Sequence, residues 1–330
     1  MVQSKLIRGI SSKDFWLSNI VYIALMIFII VFGVLYPNFV KPQNILNIFT
    51  QSCTLILVGI GMTMALITRG IDLSVGATLY FSALIMYMVG GVLDLPVSVM
   101  ILLGSLIGLV IGMLNGLLVG VLKIFPLLPT LAMQFIIRGL GITIMLNVTH
   151  ATRSIMPMKW GAIISTKLAG IPVYLYVTII VAVVMQLLLS NTQIGRNIYA
   201  VGDNAQVAMQ KGINIFRTKF FVHSMCGLMA GIAAVVSSGQ AMDVSYATGE
   251  GFEFKVVTAC VLGGVGLKGG KGSVVPGVIV GALLLSVISN VLVILKASVY
   301  SYDVAYALVI FVVVLLDTIK IKTVSGRIQS

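Results

Sequence analysis

A glycine-rich stretch, GGVGLKGGKGS from Gly263 to Ser273, has the composition of a phosphate-binding loop. A P-loop requires Ser or Thr directly after its Gly-Lys pair, because that hydroxyl holds magnesium. Here Lys271 is followed by Gly272, and the stretch joins two apolar segments instead of following a soluble strand. The sequence therefore predicts a tight turn anchored by positive charge, and no nucleotide site.

The cysteines and histidines offer no pattern for catalysis or metal binding. The cysteines, Cys53, Cys226 and Cys260, fall in separate apolar segments without CxxC spacing or a neighbouring ligand at metal-binding distance. The histidines, His150 and His223, are isolated in the sequence. No spacing brings a nucleophile, a base and an orienting group together, so we expect no catalytic residues, no metal and no cofactor.

The composition places the chain in a membrane. Of its 330 residues, 59% are hydrophobic before the 34 glycines are counted, and only 9% are charged, against about 25% in soluble domains. The net charge of +12 would suggest nucleic acid as a partner of a soluble protein. In a membrane protein the same charge collects in cytoplasmic loops, so we expect contact with membrane lipid and none with nucleic acid.

Ten segments are candidates for transmembrane helices. Seven charge-free runs each exceed the roughly 20 residues that cross a bilayer: Phe15 to Val40, Pro42 to Thr68, Leu73 to Leu93, Leu95 to Leu122, Leu168 to Gly195, Phe220 to Met242 and Gly272 to Leu295. The weaker candidates are Pro129 to Asn147, interrupted by Arg138, the short Val256 to Leu267, and Tyr300 to Leu316 with Asp303 near one end.

The distribution of charge supports ten spans with both termini in the cytoplasm. Under this count 14 basic and 4 acidic residues lie inside, a net +10, and 6 basic and 5 acidic residues lie outside, a net +1. Omitting the short eighth span would place the basic C-terminal tail outside and remove the asymmetry. We therefore predict an all-α polytopic membrane protein, a single transmembrane domain over 1–330 with short basic tails at 1–14 and 318–330.

The fourth span carries a glycine at every fourth position, and this row consists of Gly104, Gly108, Gly112, Gly116 and Gly120. Small residues along one face let two backbones approach closely, which is how helices associate in lipid. We expect a packing face, with a pore-lining role as the alternative.

The connection 191–218 is one of the two longest polar connections, and its sequence GRNIYAVGDNAQVAMQKGIN predicts a short helix from Asn204 to Lys211. Asp203 is placed to cap the helix, with Gln206 reaching back, and Gly212 stands where a helix ends. A helix of two turns needs a packing partner, which favours a docking element over a plain surface helix.

Transport is the function class that these observations favour. Under the ten-span count all nine acidic residues fall at span ends or in loops, which argues against an ion-coupled carrier. Asp72, at a break between two spans, keeps that alternative open, and a channel for a small polar solute is a further one.

Three segments together resemble the membrane subunits of bacterial ABC importers for sugars, the ribose-type permease family. The first is GIDLSVG, with Gly70, Asp72, Ser74 and Gly76. The second is Pro129 to Met133 leading to Arg138-Gly139. The third is Gly195 to Asn214, followed by CGLMAGIAA and the glycine turn, and Asp203 stands where the family commonly has a second glycine. The resemblance covers about residues 40 to 318.

The resemblance implies a permease of the bacterial cytoplasmic (inner) membrane that imports a sugar such as a ribose-like pentose or a hexose. It implies three partners: an ABC ATP-binding subunit inside, an extracytoplasmic sugar-binding protein, and a second permease subunit in a homo- or heterodimer. The residues expected to meet the ATP-binding subunit are Gly195, Arg196, Asp203, Asn204, Ala205, Ala208 and Gly212.

Four residues inside predicted spans are candidates for the solute path: Asn115, Gln134, Phe135 and Arg138. Polar groups within a span are costly unless a partner, water or substrate satisfies them. Amide and guanidinium groups suit sugar hydroxyls, and Phe135 could offer a ring face. The alternative is that these polar residues only tie helices together.

Overall fold

The structure is a computed structural model that describes residues 13–315, apart from 92, 123, 165, 299, 300, 303, 310, 313 and 314. Residues 1–12 and the predicted tail 318–330 lie outside the described residues. The described part is almost entirely helical, with two small two-stranded β ladders. The prediction of an all-α fold is confirmed.

Twelve α-helices and four short strands are described between residues 13 and 294. They are α1 Lys13–Leu35, α2 Pro42–Ile67, α3 Val75–Ile85, α4 Val97–Leu122, α5 Leu127–Ile144, β1 Arg153–Ile155, α6 Met158–Ile164, β2 Lys167–Leu168, β3 Ile171–Pro172, α7 Val173–Asn191, α8 Gln193–Asp203, α9 Ala205–Gln210, α10 Ile215–Ala241, β4 Asp243–Ser245, α11 Phe252–Leu262 and α12 Ile279–Ile294. Short π-helical turns extend α3 over Met86–Gly91 and α5 over Met145–Thr149, and another, Val274–Val278, precedes α12.

Six described helices are long and apolar enough to cross a membrane: Pro42–Ile67, Val97–Leu122, Leu127–Thr149, Val173–Asn191, Ile215–Ala241 and Val274–Ile294. Two shorter apolar helices, Val21–Leu35 and Val75–Gly90, accompany them. In helices of this length the backbone polar groups bond within the segment, which is what the hydrocarbon core demands. A protein that crosses the membrane several times is therefore confirmed.

The described residues form two compact units, one of those up to residue 48 with those from 283 onward, and one of those within 49–282. In the first, Phe39, Ile48, Val287 and Val291 form a buried cluster. Beside it the side-chain amides of Asn44 and Asn290 donate to each other's oxygens at 2.9 Å, which satisfies both polar groups.

The second unit is organised around the pair α4 and α10. A Cβ atom on Gly108 would overlap the carbonyl oxygen of Gly227, and one on Gly112 would lie 2.5 Å from the carbonyl oxygen of His223. The backbones therefore touch directly, and only glycine permits this approach. The glycine row of α4 is confirmed as a packing face.

The chain between α2 and α3 is not helical over 68–74, so the third predicted span begins at Val75 instead of Leu73. The amide of Gly70 donates to the carbonyl oxygen of Ala65 at 2.8 Å, which closes the end of α2. Arg69 has a φ of 59°, a left-handed conformation that is uncommon for a residue with a side chain.

The eighth predicted span, Val256 to Leu267, is shifted and shorter in the structure. Helix α11 covers Phe252–Leu262, and its 11 residues extend about 16 Å, roughly half of a 30 Å hydrocarbon core. The loop 242–251 precedes it, with β4 paired to β1 and positive φ angles at Gly249 and Gly251. The short length predicted for this span is therefore confirmed.

Candidate functional site

Arg138 holds the loop 242–251 against the middle of a membrane-length helix. Its Nη1 donates to the carbonyl oxygens of Tyr246 at 3.0 Å and Thr248 at 2.7 Å, and its guanidinium lies 5.1 Å from the ring centre of Tyr80. Arg138 is the twelfth of the 23 residues Leu127–Thr149. The irregular loop therefore reaches half the depth of this helix, where non-helical backbone persists only if it is buried or lines a cavity.

Next to this loop, Gln134 and Glu253 form a second polar contact. Gln134 Nε2 donates to Glu253 Oε1 at 2.9 Å, and the Glu253 side chain is only 2% exposed. The other carboxylate oxygen, Oε2, is buried without a hydrogen-bond partner among the described residues. It would lie 2.7 Å from a Cβ atom on Gly76, so glycine is needed there for the carboxylate to fit.

Glu253 lies in the first turn of α11, at a span end as expected, but it is buried there. Asp72, at the break between α2 and α3, is buried as well, with no exposed surface. The burial of these two carboxylates could not be predicted from the sequence, because both residues border non-helical segments that the structure turns inward. Two buried carboxylates therefore weaken the argument made from the sequence against ion coupling.

Exposed aromatic and charged side chains lie on the segments that make the Arg138 contact, and together they are here called the polar-aromatic face. Phe135 is 67% exposed, Tyr246 49% and Phe254 57%, and Glu250 is exposed as well. A charged group facing lipid at mid-depth costs at least about 2.5–3.5 kcal/mol on the insertion scale. This polar-aromatic face therefore requires cover by water, solute or another protein subunit.

Asn115 lies elsewhere, in a fully buried cluster with Asp72, Ser74 and His223. Its Nδ2 donates to Ser74 Oγ at 2.7 Å, and Asp72 Oδ1 accepts from the Ser74 amide at 3.0 Å and from Ser74 Oγ at 2.6 Å. His223 Nδ1 lies 3.4 Å from Asp72 Oδ2. His223 is isolated in the sequence, but α10 brings it to the α2–α3 connection.

The four candidates for the solute path are thus divided. Gln134 and Arg138 lie together, Phe135 points to the exposed side of the same helix, and Asn115 has no exposed surface. For Asn115 the structure favours the alternative interpretation, a polar group that ties helices together. Glu253 contacts Gln134 and Tyr80 contacts Arg138, and the sequence analysis missed both residues. The available signal for Glu253 was a carboxylate three residues before an apolar run.

The connection 191–218 contains two helices, α8 and α9. Gly195 and Arg196 lie in α8, which Thr192 caps by accepting from the Gly195 amide at 3.2 Å. Asp203 ends α8, and Asn204 caps α9 by accepting from the amides of Gln206 at 3.0 Å and Val207 at 3.1 Å. The predicted capping role of Asp203 is therefore wrong, since its neighbour occupies the extended cap position.

The end of α9 agrees with the prediction. Gly212 adopts a φ of 81°, the left-handed conformation that ends a helix, directly after Lys211. Ala205 is partly exposed, whereas Ala208 is buried at 2% exposure and faces the protein. The outer surface of α9 is formed instead by Val207 and Met209.

The glycine turn 263–273 packs against α8. Tyr199 donates its hydroxyl to the carbonyl oxygen of Gly272 at 2.8 Å, and burial raises the pKa of this phenol, which keeps it a donor. Gly264, Gly269 and Gly270 have φ angles of 85°, 77° and 73°. The tight turn predicted from the glycines is confirmed.

A model of the family described as the permease component of branched-chain amino acid transport systems matches residues 44–315. The chain belongs to this family of transport permeases. It is a multi-pass protein of the bacterial cytoplasmic (inner) membrane, and the resemblance to the ribose-type ABC permeases is confirmed.

Similar proteins from several bacteria match nearly the whole chain. The ribose import permease protein of Escherichia coli is 32% identical over 310 residues, 90% of this chain and 92% of that protein. The ribose import permease protein of Bacillus subtilis is 36% identical over 303 residues, 90% and 91% of the two chains. The autoinducer 2 import system permease protein of Salmonella typhi is 35% identical over 304 residues, 89% and 84%. No solved structure is significantly similar to the chain.

Proposed function

We propose that the chain is the membrane-spanning subunit of an ATP-driven importer for a sugar, a ribose-like pentose or a hexose. Its relatives are ribose and autoinducer 2 import permeases, which supports import of a small solute such as a sugar. ATP is hydrolysed by a separate ABC subunit, and an extracytoplasmic binding protein delivers the solute.

The solute path runs along the polar-aromatic face that borders Arg138. The observation that carries this proposal is the loop 242–251, whose backbone reaches mid-depth and is held there by Arg138. Tyr246 and Phe254 offer ring faces, and Glu250 offers an acceptor for hydroxyl groups. A second permease subunit, identical or related, covers this face, because lipid cannot cover a carboxylate there at low cost.

The chain crosses the membrane ten times, with both termini in the cytoplasm. The charge distribution supports this count, and the short α11 together with the loop before it makes one crossing. Fluorescent protein fused to the C-terminus should fluoresce in intact cells, because the barrel matures in the cytoplasm. If this fusion is dark and a periplasmic reporter at the same position is active, the C-terminus lies outside. An even number of crossings with the N-terminus inside would then be excluded.

The ATP-binding subunit docks on the segment 192–214, here called the docking segment. Its two capped helices, and the exposed Val207 and Met209 on α9, support this assignment. Cysteines replacing Val207 or Met209 should form crosslinks to the partner ATPase. A cysteine replacing the buried Ala208 is the matched control and should form few. If Val207→Cys crosslinks only to the external binding protein, the proposed orientation in the membrane is wrong.

The second candidate function is an ion-coupled carrier, which the buried Asp72 and Glu253 favour. Reconstitution in liposomes distinguishes the ATP-driven importer from the ion-coupled carrier. The permease with its ATPase and binding protein should accumulate radiolabelled D-ribose in liposomes only when ATP is supplied. Accumulation by the permease alone under a proton or sodium gradient would establish the carrier, and an inactive complex with ATP present would refute the proposed importer for that sugar.

A further inference from the structure

The connection between α2 and α3 touches the docking segment at one end and the candidate solute site at the other. We propose that residues 67–76, here called the link, transmit movement of the docking segment to the loop 242–251 and to Glu253. Arg69 and Gly76 are the positioning residues at its two ends. This inference rests on the proposed function, since it requires an ATPase at the docking segment.

At the first end, the link is bonded to the C-terminus of α8. Arg69 donates from Nε to the carbonyl oxygen of Gly202 at 2.6 Å and from Nη2 to that of Asp203 at 2.5 Å. These carbonyls belong to the last turn of the helix, which lacks partners of its own, and a cation is favourable there. Arg69 makes both bonds from a left-handed backbone conformation, which persists only where the surroundings impose it.

Backbone contacts reinforce this end. The amide of Gly270 in the glycine turn donates to the carbonyl oxygen of Ile67 at 2.8 Å. A Cβ atom on Gly202 would overlap that same oxygen. The end of α2, the end of α8 and the glycine turn therefore meet without intervening side chains, so a shift of α8 acts on the link directly.

The middle of the link is anchored in the second unit. Asp72 and Ser74 are buried and bonded to each other and to Asn115 of α4, with His223 of α10 beside them. Thr130 of α5 donates to the carbonyl oxygen of Ile71 at 3.2 Å. Closely packed interiors transmit displacement instead of absorbing it, so the link moves as one piece about this cluster.

At the second end, the link meets the candidate solute site. A Cβ atom on Gly76 would overlap the carbonyl oxygen of Gly249, and one on Gly249 would overlap the carbonyl oxygen of Gly76. The Glu253 carboxylate lies beside the same glycine. Movement of the link at this point displaces the loop that Arg138 holds and the half-length helix α11 that follows it.

The test measures whether a change at the docking segment reaches the loop. A cysteine replaces Thr248, and its labelling rate with a maleimide is compared in the assembled transporter without nucleotide and after trapping with ATP and vanadate. The native cysteines are buried and contribute little background. We expect a several-fold difference between the two states with the natural Arg69, and none with Arg69→Ala, although the ATPase still binds and hydrolyses ATP. Arg69→Lys, which keeps the charge without the forked donors, should restore part of the difference.

Two control variants separate the link from general damage. Lys167→Ala removes a positive charge from the exposed hairpin β2–β3 and should keep the full difference. Gly139→Ala adds a methyl group where nothing lies within 4 Å and should also keep it, whereas Gly76→Ala should reduce it. A full difference in the Arg69→Ala transporter would overturn the link. If the transporter with natural Arg69 shows no difference, the link is overturned and the proposed function stands; if the permease does not bind the ATPase, the proposed function fails, and the link with it.

Discussion

Two arginines contact the loop 242–251, and the structure predicts very different consequences of removing each. Arg138 binds two backbone carbonyls of the loop at mid-depth and stacks on Tyr80. Arg153 forms an ion pair with Asp243 at the start of the loop, but its side chain is 66% exposed. An exposed ion pair of this kind contributes about 0–1 kcal/mol, because water and salt screen it.

The stabilising free energy that Arg138→Ala removes can be estimated from the contacts of Arg138. Hydrogen bonds to a charged group contribute about 1.5–3 kcal/mol each, while polar contacts between membrane helices average only about 0.6 kcal/mol. The cation–π contact adds about 0.5–2 kcal/mol. We take about 3 kcal/mol for the whole set, which corresponds to a roughly hundredfold larger population of displaced loop in Arg138→Ala.

The assay uses the labelling rate of Thr248→Cys, since the partly buried Thr248 becomes accessible when the loop leaves Arg138. Arg138→Ala should raise this rate strongly and reduce sugar uptake, whereas Arg153→Ala should change both little. Arg138→Lys should lie between them, because an ammonium group replaces a planar fork. Equal and mild effects at both arginines would refute the reasoning and remove Arg138 from the candidate site.

Three further predictions follow from other contacts. Asn204→Ala should cost about 0.5–2 kcal/mol of capping and weaken ATPase binding in a pull-down, whereas Asp203→Ala should have a smaller effect; the reverse order would contradict the observed cap. Gly108→Leu should separate two helices whose backbones touch and reduce the free energy of unfolding by about 1–3 kcal/mol or more. The thermal unfolding temperature in detergent should fall accordingly. Its control, Gly139→Ala, has free space and should leave that temperature unchanged or raise it. Asp72→Ala should destabilise the same protein by about 1–3 kcal/mol, because it leaves the hydroxyl of Ser74 and the ring of His223 buried without the Asp72 carboxylate; an unfolding temperature equal to that of the unmodified chain would show that the cluster is not a structural anchor.

The sequence was sufficient for the features that depend on local composition. The apolar runs predicted the long helices, the glycine row of α4 predicted its packing face, and Gly212 predicted the end of α9. Each depends on residue size, polarity or backbone freedom within one segment. The distinction between Asp203 and Asn204 as the cap was beyond this reasoning, because both residue types cap well and the preceding residues form a helix of their own.

The features that were missed depend on contacts between distant segments. Glu253 and Asp72 stand beside non-helical stretches, and such residues are usually exposed. Here Gly76 and the α4–α10 pair leave room for both carboxylates inside the protein. Phe135 follows Gln134 directly, and adjacent side chains of a helix point about 100° apart, so helical geometry already predicts that the two do not share a face; which of them points inward depends on the packing of α5.

The glycine contact between α4 and α10 also sets a fixed reference within the second unit. Two helices joined backbone to backbone have no flexible side chains between them that could rearrange to let one slide past the other. Asn115 and His223 project from this pair toward Asp72, so the Asp72 cluster is fastened to the stiffest part of the unit. Spectroscopic labels on α4 and α10 should therefore keep one separation throughout a transport cycle, and movements elsewhere in the permease can be measured against them.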